Sequence, residues 1–422
     1  MDMHFKEKFK RISAEKVFSV IFMLFIFSVS LLGFPKVLVK TISNLPKDGT
    51  VGIQALIDEI DDCYDNMLST RLGQLFFLNK GVYVDFNGLI ARILGQRQMN
   101  QRIMLNNGHL TSEYTSGDTH TACGQIADLH AHQAKKGDDF LFIMAPNQNS
   151  KYDPQMPVGF KDHSNETADL LIDLLLSNGV PVLDLRTTMH NGNIDHSTAF
   201  YRTDHHWRTE TGFWAYTEIL STLYKMEVVP EINRKYTDLS NFTLDVYEDW
   251  FLGSSGKRVG RYYAGVDDFT LIVPKFDVFV SKEIMELGIS RNGPFESTAL
   301  DMSHLLRRDY YNDNTYAVYG CSNVGLIHWK NDGAQLDKKI MMIGDSYGAV
   351  PFTFFPLVFK SCATLDMRYF MEDFQSFYEE FDPDIVIVLV SSSASFQENT
   401  AYDFFHERQS GAPALSRTNG RT

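Results

Sequence analysis

A chain of 422 residues with 44% apolar and 22% charged side chains holds enough apolar material for two or three domains and has ordinary globular usage. Its formal charge of -14 speaks against a DNA or RNA partner, because phosphate recognition needs Lys and Arg gathered on one face, and here acids outnumber bases. The four cysteines, Cys63, Cys123, Cys321 and Cys362, are too few for a disulfide scaffold and form no C-x-x-C pair for zinc or redox work.

The amino end is basic, with Lys6, Lys8, Lys10, Arg11 and Lys16 in segment 1–16, and is followed by an uncharged run, 17–34, closed by Pro35 and Lys36. That run is close to the ~20 residues a helix needs to cross a bilayer, and basic residues before it favour an amino end inside and the remainder outside. We read it as a signal anchor. A cleaved signal peptide ending near Ser28-Val29-Ser30 and a buried core helix are the alternatives. The apolar stretch continues through Leu31, Leu32 and Phe34, and a core helix would show a polar face.

Segment 35–120 reads as a mixed region, with strands expected at Leu75–Leu78 and Val82–Val84 around an Asn79-Lys80-Gly81 turn. A regular alternation then begins over 121–225. Cys123, Ile126, Ala127 and Leu129 recur at helical spacing before Lys135-Lys136-Gly137 stops the helix, and Phe140 to Ala145 is a continuous apolar strand. Leu170, Leu171, Leu174 and Leu175 predict one helical face, with a strand following from Val180. After Asp204-His205-His206-Trp207, Thr209 is placed to cap a further helix. Helix alternating with strand implies parallel pairing with crossover helices, hence the α/β class.

Between 226 and 336 the pattern breaks into short β-rich runs, such as Phe269 to Val273 and Phe276 to Val280, among Gly253, Gly256, Gly260 and other turn residues. It reads as an inserted, β-rich or irregular subdomain. Alternation resumes over 337–408 with the strand ending in Gly344-Asp345-Ser346-Tyr347-Gly348, and the tail 409–422 is expected to be disordered.

Two of these segments carry chemistry. A serine hydroxyl is a weak nucleophile unless an imidazole takes its proton and a carboxylate fixes the imidazole's tautomer. Ser346 falls where an apolar strand breaks at a glycine, at the carboxyl end of a sheet, where open α/β folds bind ligands. Asp204 and His206 supply the other two groups. Each also has a plainer reading. Ser346 or Asp345 can cap the following helix, Asp204 can cap the helix near Thr209, and Trp207 can be core packing. Asp204, His205 and His206 with His190 or His196, and His130 with His132, are alternative metal ligands, but adjacent histidines on an extended chain point to opposite faces and an i to i+2 pair on a helix diverges. Neither a metal nor a cofactor is expected.

Gly344-Asp345-Ser346 resembles the first signature block of SGNH (GDSL-like) hydrolases, and Asp204-x-His206-Trp207 resembles the acid and base pair of the alginate O-acetyltransferase group. The DHHW protein family, whose namesake tetrapeptide stands at 204–207, is the nearest in pattern. The resemblance spans roughly residues 70 to 400 by motif order, and the two-position step from Asp204 to His206 matches the alginate group rather than the longer step of typical SGNH enzymes. It implies an SGNH-like three-layer α/β/α fold with Ser346 as nucleophile, His206 as general base and Asp204 as its orienting acid. Gly348, Asn147 and Asn149 are candidates for oxyanion or substrate binding, and His205 for a structural or substrate-contacting neighbour.

The function implied is a serine-dependent O-acetyltransferase or acetylesterase outside the cytoplasm, acting on cell-surface or secreted polysaccharide, with a polytopic membrane acyl-transfer partner. A catalytically inactive carbohydrate-binding or scaffold protein of polysaccharide assembly is the alternative.

Overall fold

Strands buried on both faces alternate their side chains between two cores, and that alternation organises this molecule. The computed structural model describes residues 80–320, 323–393 and 404–405. The basic segment, the expected anchor at 17–34, the strand at 75–78, Cys63, Cys321 and the tail lie outside the described residues. Among the described residues, no helix is long and apolar enough to cross a membrane. The chain divides into two units, Met1–Tyr83 and Val84–Thr422. The sheet, its helices and the candidate site all belong to the second.

The segment Val82–Val84, expected as a strand, is helical instead, within α1 (Lys80–Ile93). The reason lies in its buried side, where Asp85, Gly88 and Ala91 recur at three-residue steps, a stripe of small and polar residues that apolar periodicity does not register. Asp85 accepts from the Arg261 backbone N–H at 2.6 Å and from its guanidinium at 2.9 and 2.6 Å. At Gly88 an added Cβ would lie 2.1 Å from the Val259 carbonyl oxygen. Strands β1 (Gln98–Met99), β2 (Arg102–Met104) and β3 (Leu110–Thr111) form a small antiparallel sheet.

The alternating region forms α2 (Thr119–Lys136), β4 (Asp139–Ala145), α3 (Ser164–Ser177), β5 (Val182–Asp184), α4 (Leu185–Asn191) and α5 (Thr209–Lys225). Gly137, at φ 80°, ends α2 in the left-handed conformation that glycine adopts without a Cβ penalty. In α3 the buried face is Ala168, Leu171, Ile172 and Leu175. The helix is rotated from the leucine-only stripe, leaving Leu170 exposed. Thr209 does not cap α5 but begins it, and its hydroxyl donates to the Thr270 carbonyl at 2.7 Å.

Within 226–336 lie β6 (Phe242–Phe251) and β7 (Asp267–Pro274), an antiparallel pair, and then β8 (Phe279–Ile284), β9 (Ile289–Pro294) and β10 (Leu326–Lys330). The chain continues as β11 (Leu336–Gly344), α6 (Ala349–Phe354), β12 (Phe359–Leu365), α7 (Phe374–Phe381) and β13 (Ile385–Ser391).

The main sheet has eight strands in the order β5-β4-β13-β11-β12-β10-β8-β9. Its first five are parallel, as alternation predicts. The sheet as a whole is nevertheless mixed, because β10, β8 and β9 extend it antiparallel from within the segment expected as an insert. Leu141, Ile143, Ile340, Met342, Ile387 and Leu389 face one core with α4, α5 and α6. Phe140, Phe142, Met341, Ile343, Val386 and Val388 face the other with α2, α3 and α7. Helices therefore cover both faces of the sheet, in three layers. Cys123 and Cys362 are buried free thiols.

Candidate active site

β11 ends at Gly344 between β12 and β13, and the chain turns sharply into a short helix, Ser346–Gly348. Asp345 caps that turn by accepting the Tyr347 N–H at 2.9 Å, so Ser346 is not needed as a cap. The other Asp345 oxygen accepts the Ser391 N–H at 3.1 Å, which ties the end of β11 to the end of β13. Burial raises the Asp345 carboxyl, opposed by Arg368 and these two N–H donors.

The second segment arrives over the same end of the sheet. Phe200 and Trp207 pair as an antiparallel bridge, and the loop between them presents Asp204, His205 and His206. Trp207 is fully buried, as packing requires. Asp267, with its side chain inaccessible, anchors the loop by accepting the N–H groups of Arg202 (3.0 Å) and Thr203 (2.9 Å) and the Thr203 hydroxyl (2.6 Å). The Gln148 amide donates to the Asp204 carbonyl.

The structure brings Asp204, His206 and Ser346 together. His206 Nδ1–H donates to Asp204 Oδ1 at 2.5 Å, and a carboxylate can only accept, so the opposite nitrogen, Nε2, is the acceptor. Into it the Ser346 hydroxyl donates at 2.7 Å, across 140 positions of sequence. Asp204 Oδ1 also accepts the His206 backbone N–H at 3.1 Å, and Oδ2 accepts the Ser254 N–H at 2.6 Å. Burial acts to raise the Asp204 carboxyl, but the imidazoles of His205 and His206 and these donors outweigh it and hold it well below the usual carboxylate range. Asp204 therefore stays ionised while only 3% exposed. The His206 ring stacks on Tyr316 with centroids 4.1 Å apart and planes 10° from parallel, which fixes its rotation.

His205 lies against His206 at 3.8 Å between centroids, is hydrogen-bonded through Nδ1 to Ser254 Oγ at 3.0 Å, and takes the Tyr347 hydroxyl on its carbonyl. Burial and the neighbouring His206 push its imidazole down to about 3, against the pull of Asp204. Asp204, His205 and His206 each offer a ligand atom within 4.8 Å of the others, the spacing of a cation site. Both nitrogens of His206 are already engaged, one by Asp204 and one by Ser346, so the arrangement suits proton transfer better than metal ligation.

The remaining expected residues fall in different places. Gly348 lines the cavity beside Ser346, but its N–H donates to the Asp345 carbonyl at 2.9 Å. What Gly348 contributes is absence of bulk, since a Cβ would approach Phe352 to 2.4 Å. Asn147 and Asn149 do not line that cavity. Their amides donate to Ser164 (2.8 Å) and Asp162 (2.6 Å).

Sequence reasoning missed Gly253, Ser254, Asp267 and Tyr316. A Cβ on Gly253 would lie 2.2 Å from the Asp204 Cβ, so only glycine lets this loop close on the carboxylate. The run Gly253-Ser254-Ser255-Gly256 carried that signal, and it was read only as irregular chain.

Residues 108–241 match the family described as SGNH hydrolase-like domain, acetyltransferase AlgX. The chain is similar to the SGNH hydrolase-like AlgX acetyltransferases. No curated protein matches the sequence. Among solved structures, Bacillus cereus PatB1 with a sulfonyl adduct aligns at TM-score 0.59 and 16% identity, over 73% of this chain and 99% of PatB1. A DHHW family protein from Eubacterium siraeum aligns at TM-score 0.56 and 18% identity, over 72% of this chain and 95% of its own. At such identities the likeness is one of fold. The resemblance read from the tetrapeptide and the Gly-Asp-Ser string is thus met by the SGNH-like family match and by a DHHW-family neighbour.

Proposed function

We propose that this chain is a serine-dependent O-acetyltransferase or acetylesterase acting outside the cytoplasm on cell-surface or secreted polysaccharide, through an acetyl ester on Ser346. The observation that carries the reading is the continuous relay from Asp204 through His206 to Ser346, with hydrogen bonds of 2.5 and 2.7 Å. Ser346 Oγ adds to the acetyl carbonyl as its proton passes to His206 Nε2. The imidazolium so formed sits against ionised Asp204, and the tetrahedral oxygen is received by the Ser346 backbone N–H, a donor of the kind worth about 3 kcal/mol. Collapse breaks the bond to the donor's leaving oxygen, which takes the proton from His206. In the second half, His206 deprotonates water in an esterase, or a sugar hydroxyl in a transferase, whose oxygen adds to the acyl carbon; the bond to Ser346 Oγ breaks and Oγ takes the proton back from His206.

The AlgX family match and the PatB1 structure with its sulfonyl adduct support this assignment. The apolar run 17–34 supports a membrane-anchored, outward-facing enzyme, and a polytopic membrane acyl-transfer partner as donor is what the family resemblance implies. The test is hydrolysis of a chromogenic acetate ester by the purified full-length chain and by Ser346→Ala, with a fluorophosphonate or sulfonyl fluoride as label. Equal hydrolysis by both proteins sinks the site assignment. Absent labelling with retained glycan binding makes the protein a binding module instead. If only the parent hydrolyses, adding oligosaccharide acceptors distinguishes transfer from hydrolysis.

A further inference from the structure

Behind Ser346 there is more room than an acetyl group fills. The cavity that Ser346 and His206 line measures about 310 Å³, and its two ends differ in chemistry. At the mouth stand His205, Asn314, Asn323, Asp366 and Arg368, three of them exposed. The inner wall is Tyr316, Val324, Ile327, Trp329 and Phe352, none more than 7% exposed.

The topology explains this slot. Ile327 and Trp329 alternate on β10 and so share one face, where they join the same core as Phe352 of α6. Between β11 and β10 lies β12, whose Thr364 pairs with Ile327 in register and accepts the Trp329 indole N–H at 3.2 Å. The slot therefore runs sideways from the nucleophile, across β12 to β10, roofed by α6. That hydrogen bond pairs the polar atoms of Trp329 and Thr364 with each other, so Val324, Ile327, Trp329 and Phe352 offer mainly apolar surface. Apolar cavities of this kind suit hydrocarbon better than water, which needs several polar partners.

We propose that Ser346 accepts, and prefers, acyl groups longer than acetyl, the alkyl chain lying in this slot against Ile327, Trp329 and Phe352. Allowing ~30 Å³ for each water-sized unit, and leaving the polar mouth to the alcohol side of the ester, the slot takes roughly four to six carbons. The inference rests on the relay reading. Ser346 Oγ forms an ester bond to the acyl carbon, the bond from that carbon to the donor's oxygen breaks, and the departing alcohol takes the proton from His206. Water or a sugar hydroxyl then gives its proton to His206 and adds to the same carbon, the bond to Ser346 Oγ breaks, and Oγ recovers the proton, with no oxidant or reductant involved.

The experiment measures kcat/KM of the full-length chain on p-nitrophenyl acetate, butyrate and hexanoate. Each buried methylene is expected to raise kcat/KM about fourfold, so butyrate should exceed acetate by about 15-fold. Two variants that fill the slot, Ile327→Trp and, at a buried residue of the same cavity lining, Ala317→Leu, should lower the hexanoate-to-acetate ratio about tenfold or more. That ratio is the readout, and it is scored only in a variant that melts like the parent. If neither folds, the parent series alone decides. A flat or falling series with Ser346-dependent hydrolysis overturns the acyl-length inference and leaves the nucleophile assignment standing. An unchanged ratio in a folded variant overturns the location. Absence of both hydrolysis at every chain length and labelling of Ser346 overturns the relay reading, and this inference with it.

Discussion

Asp204→Asn tests the relay at its most constrained point, because both oxygens of the replaced carboxylate are engaged. Oδ1 receives two donors from His206 and Oδ2 receives the Ser254 N–H. An asparagine has one oxygen. If that oxygen faces His206, the amide group confronts the Ser254 N–H, donor against donor, at a cost of about 1–3 kcal/mol. If it faces Ser254, the amide donates to His206 Nδ1, the proton moves to Nε2, and the nitrogen that should take the Ser346 proton no longer can. Either way, the charge beside the imidazolium is gone. Neutralising a triad carboxylate while keeping its shape costs about 10⁴ in kcat, which is about 5.4 kcal/mol of barrier at 1.36 per tenfold. The assay is ester hydrolysis over a pH series, with circular dichroism to verify the fold. Both neutral tautomers carry the same number of protons, so raising the pH does not restore the correct one and the loss should persist through the neutral range. A folded Asp204→Asn protein with kcat within tenfold of the parent and an unchanged pH profile would refute the orienting role.

Other outcomes follow from the supports around the relay. Gly253→Ala forces a Cβ to within 2.2 Å of Asp204, so it should cost about 1–3 kcal/mol in denaturant unfolding and depress kcat more than KM. Asp267→Ala strips acceptors from two loop N–H groups and the Thr203 hydroxyl, and should lower the melting temperature and cut kcat while leaving Ser346 itself unaltered. For His205 the folded imidazole is held at about 3 against about 6.5 unfolded. Its contribution to stability is therefore complete above about 6.5 and is lost as pH falls towards 3, since the unfolded chain then binds the extra proton. Melting curves between pH 7 and 4 should show a decline that His205→Gln reduces, and an identical slope in both proteins would contradict the neutral folded imidazole.

How much of this was legible in the sequence depends on what kind of force sets each feature. The parallel strands were readable because both their faces are apolar, as in Ile340–Ile343 and Ile385–Val390, and the helices between them carry apolar residues at three- and four-residue steps. The start of α1 was misread because its buried stripe is Asp85, Gly88 and Ala91, held by an ion pair and close backbone contact rather than by hydrophobic burial. The antiparallel extension of the sheet escaped too, since a short alternating strand such as β8 does not say which edge it will join.

In the site, Asp204, His206 and Ser346 were legible as residue types in two motifs. The side chains that hold the Asp204 loop were not. Asp267 looks in sequence like half of an Asp-Asp turn, and only the fold shows it taking two backbone amides from a loop 64 and 65 positions away. Asn147 and Asn149 were sought at the correct strand end, yet it is the intervening Gln148 that reaches the Asp204 loop, because alternate residues past β4 point to opposite sides.

The separation of 140 positions between the imidazole and its serine has a consequence for biogenesis. A ribosome delivers the base first, then the whole of β6 to β10, and only afterwards the alcohol, whose own strand is flanked by β13 at the far end of the described chain. Closing so long a loop is entropically unfavourable until the intervening elements have docked. On the proposed reading, the nascent chain has no armed hydroxyl until the strands on both sides of β11 have been made.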